Sequence, residues 1–286
     1  MDFFALFLNT FTLRPYVFVF LVVFLVCAQR LLGWRRTGLF FGITWLTAFL
    51  CEFSSTRTGI PFGWYYYTGS TRGQELFIAD VPFFDSLSFT FLLYASYCMA
   101  LLFLLPARAQ DQPAGASLLR RSTWPALLFT LPVRTSWPVL KLAALFFMFI
   151  DIIIDPVALR GDRWFLGQIY GYPEPGVYYG VPLANFVGWA VVGLTALSGY
   201  FFLDRRLSPS SRHTEGEETV MTGNVLLGCS LYYGVLAFNL GVTFWIGEPQ
   251  LGMTGLLIFL PLTALLLLRL LHRLPHPSPV RREPSL

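Results

Sequence analysis

Charged residues are scarce in this chain. Only 13% of its 286 residues are Asp, Glu, Lys or Arg, about half the share of an ordinary soluble protein. In contrast, 55% are hydrophobic and the mean hydropathy is +0.60. The few charges are concentrated between long apolar runs and cannot coat a water-soluble particle. The composition therefore excludes a soluble globular protein and predicts an all-α, polytopic transmembrane helix bundle.

Cysteine and lysine are rare as well. The four cysteines lie singly, with neither the CxxC spacing of a metal site nor a disulfide framework. The only lysine is Lys141, at the entry to the fourth apolar run. A retinal-binding seven-helix receptor needs a Schiff-base lysine in its last helix, so this class is excluded. No stripe of arginines lies on a soluble segment, and we expect no nucleic-acid partner.

Seven apolar stretches are long enough to cross a bilayer, which takes about 20 mostly apolar residues. They are 15–33, 38–56, 83–105, 138–158, 181–203, 223–246 and 251–271. Phe3–Leu13 is too short to span and 124–133 contains two prolines, so both are predicted to be interfacial segments. We expect one transmembrane domain over 1–274 and a disordered, proline-rich tail over 275–286.

Basic residues are unequally divided between the two ends of the predicted spans. Fifteen lie beside the connections that follow spans one, three, five and seven, and five lie at the opposite end. Because short cytoplasmic loops retain Lys and Arg, the chain is predicted to cross the cell (inner) membrane with its amino end outside and its carboxyl end in the cytoplasm. The segments 106–122 and 204–222 are then cytoplasmic connections.

Acidic and amide residues gather at the predicted outer ends of the spans. They are Glu52, Asp80, Asp85, Asp151, Asp155, Asn185, Asn239 and Glu248. An ionisable side chain within a membrane costs roughly 2.5 to 3.5 kcal/mol on insertion scales, so each one requires a partner or a function. The topology places these chain-distant residues in one layer of the membrane.

Asp151 and Asp155 are four residues apart and share one face of a helix, about 6 Å from each other. Two carboxyls this close repel when both are ionised, so one is expected to hold a proton near neutral pH. In the alternative interpretation each is paired with an arginine, such as Arg57 or Arg160, in a structural network. Glu52 has the same two interpretations, catalytic and structural.

The two connections at the predicted outer end are rich in Gly, Pro and aromatic residues. They cover 54–69 and 155–182. This composition predicts tight turns whose rings form a belt at the headgroups. The remaining rings are expected to line a pocket for a conjugated polyene or a carbocation.

Acidic residues within spans also leave two other classes open. An intramembrane prenyltransferase holds magnesium diphosphate on aspartates, and the spacing of Asp151 and Asp155 suits it. Its usual companion, an Asn-Asp-x-x-Asp-like motif in an earlier helix, is missing, and Asp80 and Asp85 do not supply it. A transporter would also use membrane carboxyls, but the spans show no evident inverted repeat.

Two blocks of the sequence carry a family resemblance. EFSSTRTGIPFGWYYYTG at 52–69 and DIIIDPVALRGDRWFLGQIYGYPEPGVYYGVPLANFVGW at 151–189 resemble the signature blocks of the CruF-type carotenoid 1',2'-hydratases, and the similarity extends over about 40–270. The resemblance implies a membrane enzyme that adds water across the terminal C1=C2 double bond of an acyclic carotenoid end group. Such end groups occur in lycopene, γ-carotene and bacterioruberin precursors, and the product is a tertiary alcohol.

This reaction needs a neutral acid, a held water and a pocket that tolerates a carbocation, and it requires no metal or other cofactor. We expect Asp151 or Asp155 to donate the proton, and Glu52 or the other aspartate to hold and deprotonate the water. The expected ring-lined walls are Trp64, Tyr65, Tyr66 and Tyr179, and the expected partners that orient the carboxyls are Asn185 and Arg57. The implied molecular partners are a carotenoid, water, the lipid bilayer and other membrane enzymes of the carotenoid pathway.

Overall fold

The most deeply buried helix lies at the centre of the bundle. In the computed structural model, which describes residues 3–107, 125–207 and 219–273, this helix is α4 (Phe83–Leu104), and nearly all of its side chains are buried. The helices that pack around it are α2 (Pro15–Leu32), α3 (Trp34–Thr58), α6 (Trp137–Ala158) and α8 (Thr222–Trp245). A helix that is apolar on all sides can be buried completely, and here the neighbouring helices bury it.

The outer helices complete the bundle. The helix α7 (Leu183–Leu207) packs against α3 and α6, and α9 (Pro249–Arg273) packs against α8 and α6. Two shorter helices, α1 (Phe3–Leu13) and α5 (Leu131–Arg134), precede α2 and α6. Seven of the described helices are long and apolar enough to cross a membrane. The predicted helical membrane bundle is confirmed, and the seven predicted spans differ from the observed helices by at most four residues at either end.

Two small hydroxyl groups of the central helix are satisfied within that helix. In α4, Thr90 donates a hydrogen bond to the carbonyl of Leu87 at 2.7 Å, and Ser96 donates to that of Leu92 at 2.8 Å. Such bonds matter because lipid offers a polar group no alternative partner. The apolar spans therefore accommodate small polar residues without a polar neighbour on another helix.

A glycine ends α3 at the edge of the bundle. Gly59 has a left-handed φ of 75°, and its amide donates to the carbonyl of Ser55. A Cβ atom at this position would lie 2.8 Å from Nε1 of Trp64. Glycine is favoured here because it adopts this conformation and leaves room for the indole ring. The chain is thereby turned back across the end of the bundle.

Short strand pairs, which the sequence did not predict, join the connections. The strand β1 (Tyr66–Tyr67) pairs antiparallel with β5 (Tyr170–Gly171), and β2 (Phe77–Ile78) pairs with β3 (Val81–Pro82). The β1–β5 pair holds the α3–α4 connection against the α6–α7 connection at one end of the bundle. At the other end, β4 (Leu127–Leu128) pairs with β6 (Thr219–Val220).

Some predictions concern parts of the chain that the structure describes only in part. Residues 125–133 contain β4 and the start of α5, and α1 is helical as its apolar run suggested. The interfacial position of both segments stays a prediction. Most of 106–122, much of 204–222 and the tail 275–286 lie outside the described residues. The division into one domain and a tail also stays a prediction.

Candidate active site

Four acidic side chains from three helices meet at one end of the bundle. Glu52 lies in the last two turns of α3, Asp85 in the first turn of α4, and Asp151 and Asp155 in the last two turns of α6. Because α4 runs antiparallel to α3 and α6, these positions lie at the same end. Glu52, Asp151 and Asp155 are buried and Asp85 is partly buried. The predicted convergence of acidic residues is therefore observed for these four.

Three of these carboxyls, those of Glu52, Asp85 and Asp155, border a small cavity, here called the polar chamber. It is partly open, and about 340 Å³ of empty space lies in it and at its mouth. Its polar lining residues are Glu52, Asp85, Asp155 and Asn185. Its aromatic lining residues are Phe62, Tyr65, Tyr67, Phe89, Tyr170, Tyr172 and Trp189. The combination of acids and rings matches the kind of chamber that the sequence led us to expect.

Asn185 joins the two aspartates of α6. Its Nδ2 donates to Oδ2 of Asp151 at 2.8 Å and also to Oδ2 of Asp155. Asp155 lines the chamber and accepts a longer bond of 3.4 Å from the Tyr172 hydroxyl. The remaining oxygen of Asp151, Oδ1, is buried without a hydrogen-bond partner in the part of the chain that the structure describes. Asp155 is thus the member of the pair that faces the chamber.

Hydroxyl groups hold the other two carboxyls. The Tyr67 hydroxyl donates to Oδ2 of Asp85 at 2.8 Å, and the Ser86 hydroxyl donates to Oε2 of Glu52. Tyr67 belongs to the α3–α4 connection. Burial and the charges of Asp85 and Glu52 raise the pKa of its hydroxyl well above the ordinary value. The hydroxyl therefore keeps its proton and acts as a donor.

No arginine or lysine among residues 3–107, 125–207 and 219–273 forms an ion pair with these four carboxyls. The arginines proposed as structural partners lie elsewhere. Arg57 contacts Asp80 at 3.4 Å, and Arg160 contacts Glu248 at 3.2 Å. The structure thus does not contain the network in which Arg57 or Arg160 neutralises the aspartates, and Arg57 does not orient a chamber carboxyl.

Alternate tyrosines of the α3–α4 connection face the chamber. Tyr65 and Tyr67 line it, whereas the side chains of Trp64 and Tyr66 are 58% and 50% exposed. Tyr65 is therefore placed as the sequence predicted, and Trp64 and Tyr66 are not. The signal that could have separated them is the period of two of an extended chain, whose successive side chains point to opposite sides.

The same period explains two wall residues that sequence reasoning missed. Tyr170 and Tyr172 flank Gly171 and both line the chamber. Tyr179 had been expected there, but its hydroxyl lies 2.9 Å from Oγ1 of Thr254 on α9. Asp85 was noticed in the sequence as an acidic residue at the start of a span but was not assigned to the site. Substrate-binding roles for Arg57, Trp64, Tyr66 and Tyr179 stay predictions without support from their positions.

A second cavity, here called the apolar chamber, adjoins the polar chamber. It is partly open, and about 680 Å³ of empty space lies in it and at its mouth between α2, α4, α6 and α8. Its walls are largely hydrocarbon and aromatic, and they include Phe20, Leu92 and Phe238. The residues that line both chambers are Asp85, Phe89, Asp155, Tyr170 and Trp189. Two carboxyls therefore stand at the boundary between a polar and an apolar space.

Comparison with known proteins agrees with these features. Residues 13–261 match the model of a family described as carotenoid biosynthesis protein. Over 163 residues the chain is 32% identical to the bisanhydrobacterioruberin hydratase of Haloarcula japonica. The matched stretch is 57% of this chain and 44% of that protein. The chain thus matches less than half the length of this relative. No solved structure matches the chain significantly. Because the family model covers most of the sequence, the chain belongs to the carotenoid biosynthesis protein family.

Proposed function

We propose that this membrane protein is a carotenoid hydratase that adds water across the terminal C1=C2 double bond of an acyclic carotenoid end group. The observation that carries the proposal is the meeting of buried, arginine-free carboxyls with an apolar chamber suited to a hydrocarbon. Membership of the carotenoid biosynthesis family and similarity to a protein named as a hydratase support it.

The reaction is an acid-catalysed addition in the Markovnikov sense. A carboxyl proton adds to C2, the electrons of the double bond form the new C–H bond, and a tertiary cation remains at C1. The oxygen of water then forms a bond to C1 and gives up a proton. The net change is the addition of one water molecule to the substrate, and no electron acceptor is needed. The faces of Trp189 and Phe89, which border both chambers, suit the cation through cation–π attraction.

Of the two aspartates, Asp155 is the proposed proton donor. It lines both chambers, whereas Asp151 lines neither and lies behind it, linked to it through Asn185. Two adjacent carboxyls in a poorly solvated site cannot both carry charge without a large cost, so the pair retains one proton. Asp151 and Asn185 then hold Asp155 in position, and Glu52, on the polar side, accepts a hydrogen bond from the attacking water.

The substrate is proposed from the relative and from the chemistry together. The relative's name specifies bisanhydrobacterioruberin, and lycopene and γ-carotene carry end groups of the same acyclic kind. The bilayer dissolves such substrates, and other membrane enzymes of the carotenoid pathway are the proposed source. With the amino end outside, the chamber lies in the outer half of the membrane.

Expression in hosts that make lycopene, γ-carotene or bisanhydrobacterioruberin tests the proposal. We expect a carotenoid heavier by one water, detected by mass spectrometry, in cells that contain the protein and not in cells with an empty vector. Absence of a hydrated product from all three hosts, with normal accumulation of the protein, would reject it. A product extended by five carbons would favour the prenyltransferase alternative, and translocation of a solute without a new carotenoid would favour a transporter.

A further inference from the structure

We propose that Asp85, held by Tyr67, is the base that accepts the proton of the attacking water, and that the boundary between the two chambers separates water from hydrocarbon. This inference rests on the proposed hydration. It adds a catalytic residue that the sequence reasoning did not assign to the site. It also assigns the base to the start of α4 and the acid to the end of α6.

Position is the first argument. Asp85 and Asp155 are the two carboxyls that line both chambers, whereas Glu52 lines the polar chamber alone. An alkene lying in the apolar chamber reaches both of the shared carboxyls. A water molecule in the polar chamber approaches the same carbon atoms from the side of Glu52 and Tyr67. The reacting atoms therefore meet where Asp85 and Asp155 stand.

The ends of the helices distinguish the two groups. Asp85 lies in the first turn of α4, where the free amides and the helix dipole favour a negative charge. Asp155 lies in the last turn of α6, where the dipole opposes a negative charge, and Asp151 lies one turn away. The two helix ends thus favour a negative charge on Asp85 more than on Asp155. One group is suited to accept a proton and the other to donate it.

Hydrogen bonding supports the same assignment. The Tyr67 hydroxyl keeps its proton and donates to Oδ2 of Asp85 at 2.8 Å, which stabilises a carboxylate more than a neutral acid. The Tyr65 hydroxyl lies 3.4 Å from that of Tyr67. Burial and the charge of Glu52 raise the pKa of Tyr65 well above its ordinary value, so this hydroxyl is also a donor. Two phenols therefore support the ionised form of Asp85.

The proton balance closes without another reactant. Asp155 loses its proton to C2, water forms the C1–O bond, and the proton released by water passes to Asp85. When the alcohol leaves, Asp85 returns this proton to Asp155 through water in the polar chamber. Each carboxyl is then restored for the next substrate.

The test separates protonation of the alkene from capture of water. Membranes containing the protein and lycopene are incubated in D2O, and both the product and the recovered hydrocarbon are analysed by mass spectrometry. With Asp85→Asn, hydrated product is expected to fall by about 100-fold or more. The hydrocarbon still gains deuterium, because Asp155 protonates C2 and the cation then loses a proton from C2 or from a methyl group on C1. With Asp155→Asn, both hydration and deuterium uptake are lost.

Matched variants control for position and folding. Asp80 is an exposed acid five residues before Asp85, and Asp80 lines neither chamber. Asp80→Asn is therefore expected to leave both hydration and deuterium uptake unchanged. Tyr67→Phe removes only the donor to Asp85 and is expected to reduce hydration about tenfold while deuterium uptake persists. Tyr233→Phe removes a hydroxyl of α8 that lies 3.1 Å from Oγ1 of Thr263 and lines neither chamber, and it is expected to have no effect.

Defined outcomes overturn the inference. It fails if Asp85→Asn hydrates lycopene at the rate of the parent protein, or if this folded variant loses deuterium uptake together with hydration. If Asp85→Asn does not accumulate, Tyr67→Phe decides: an unchanged ratio of deuterium uptake to hydration rejects the inference. Failure of the proposed function is distinct, because the parent protein itself then forms no hydrated product.

Discussion

Buried acids occur at both ends of the bundle, but their partners differ. Away from the polar chamber, Asp204 of α7 accepts hydrogen bonds from Arg36 at 3.1 Å and from Arg134 at 3.2 Å. Around the chamber, the partners of the carboxyls are hydroxyl groups and the amide of Asn185. The chamber carboxyls thus have neutral donors, whereas the buried acids away from the chamber are paired with guanidinium groups, Asp204 with Arg134 and Glu75 with Arg14.

The difference concerns what each arrangement does to charge. A guanidinium beside a buried carboxyl fixes the negative charge, because removing either partner leaves the other unpaired in a poorly solvated site. A hydroxyl or amide donor carries no charge, so it orients a carboxylate and stabilises it less than a guanidinium does, which leaves the carboxyl able to take up a proton. Asp204 is therefore suited to join α7 to α3 and α5, whereas the chamber carboxyls are suited to exchange protons.

The largest expected effect is on the rate of hydration, when carboxyls at the polar chamber are replaced. Asp155→Asn removes the proposed acid and is expected to lower the rate of hydration by about 10² to 10⁴. Asp151→Asn and Glu52→Gln remove groups that hold the acid and the water in position, and each is expected to lower the rate by a smaller factor. Their melting temperatures should stay near that of the parent or rise, since each substitution removes a buried ionisable group. Rates of product formation and melting curves in detergent measure both effects. Wild-type product levels in all three variants would show that these carboxyls are not the catalytic groups.

The second prediction concerns Asp204, away from the polar chamber, where a substitution is expected to lower stability and leave turnover unchanged. Asp204→Asn leaves the buried guanidinium of Arg134 without its counter-charge, and we expect a loss of about 3 to 5 kcal/mol in the free energy of unfolding. Turnover per folded molecule should be unchanged. Chemical denaturation measures the loss, with Asp162→Asn, an exposed acid, as the control. A stable Asp204→Asn protein with impaired turnover would contradict the division between the two regions.

The smallest expected effect is on stability, at Glu248 in the connection between α8 and α9, a partly exposed acid that is paired with arginines. Partial burial tends to raise the pKa of Glu248, but hydrogen bonds and charges from Arg163 and Arg160 outweigh it and place the pKa below the ordinary value. The pair contributes about 1 kcal/mol or less. This contribution is present above the ordinary pKa of a glutamate and is lost as the pH falls through the lowered value.

Melting temperatures of the parent and Glu248→Gln proteins across pH test this expectation. The parent should be slightly more stable at neutral pH, and the two curves should converge in acid. A gap between them that widens as the pH falls would mean that the arginines do not stabilise the ionised form of Glu248.

The sequence predicted the spans and part of the site. The helical structure of the seven apolar runs could be predicted because lipid offers the backbone no hydrogen-bond partner. A helix satisfies its backbone groups within the same segment. The pairing of Asp151 with Asp155 follows from helical spacing alone, and it is observed through Asn185. The resemblance of the blocks at 52–69 and 151–189 predicted the family, which is confirmed.

The rest of the site depends on long-range packing. Tyr67 contacts Asp85 because the α3–α4 connection pairs with residues about one hundred positions later. Tyr66, next to it in the chain, points away. Composition treats these two tyrosines alike, since both belong to one aromatic run. The period of two of an extended chain places them on opposite sides, and the pairing of β1 with β5 fixes which side faces the chamber.

By itself the sequence determined a membrane bundle of seven spans and a layer of acidic residues at one end, because hydrophobic length and helical period are local properties. The tertiary structure decided which of those acids share a chamber, which lack an arginine, and which face the hydrocarbon. These properties depend on antiparallel helix ends brought together from distant parts of the chain. There the start of one helix and the end of another impose opposite charge preferences on Asp85 and Asp155.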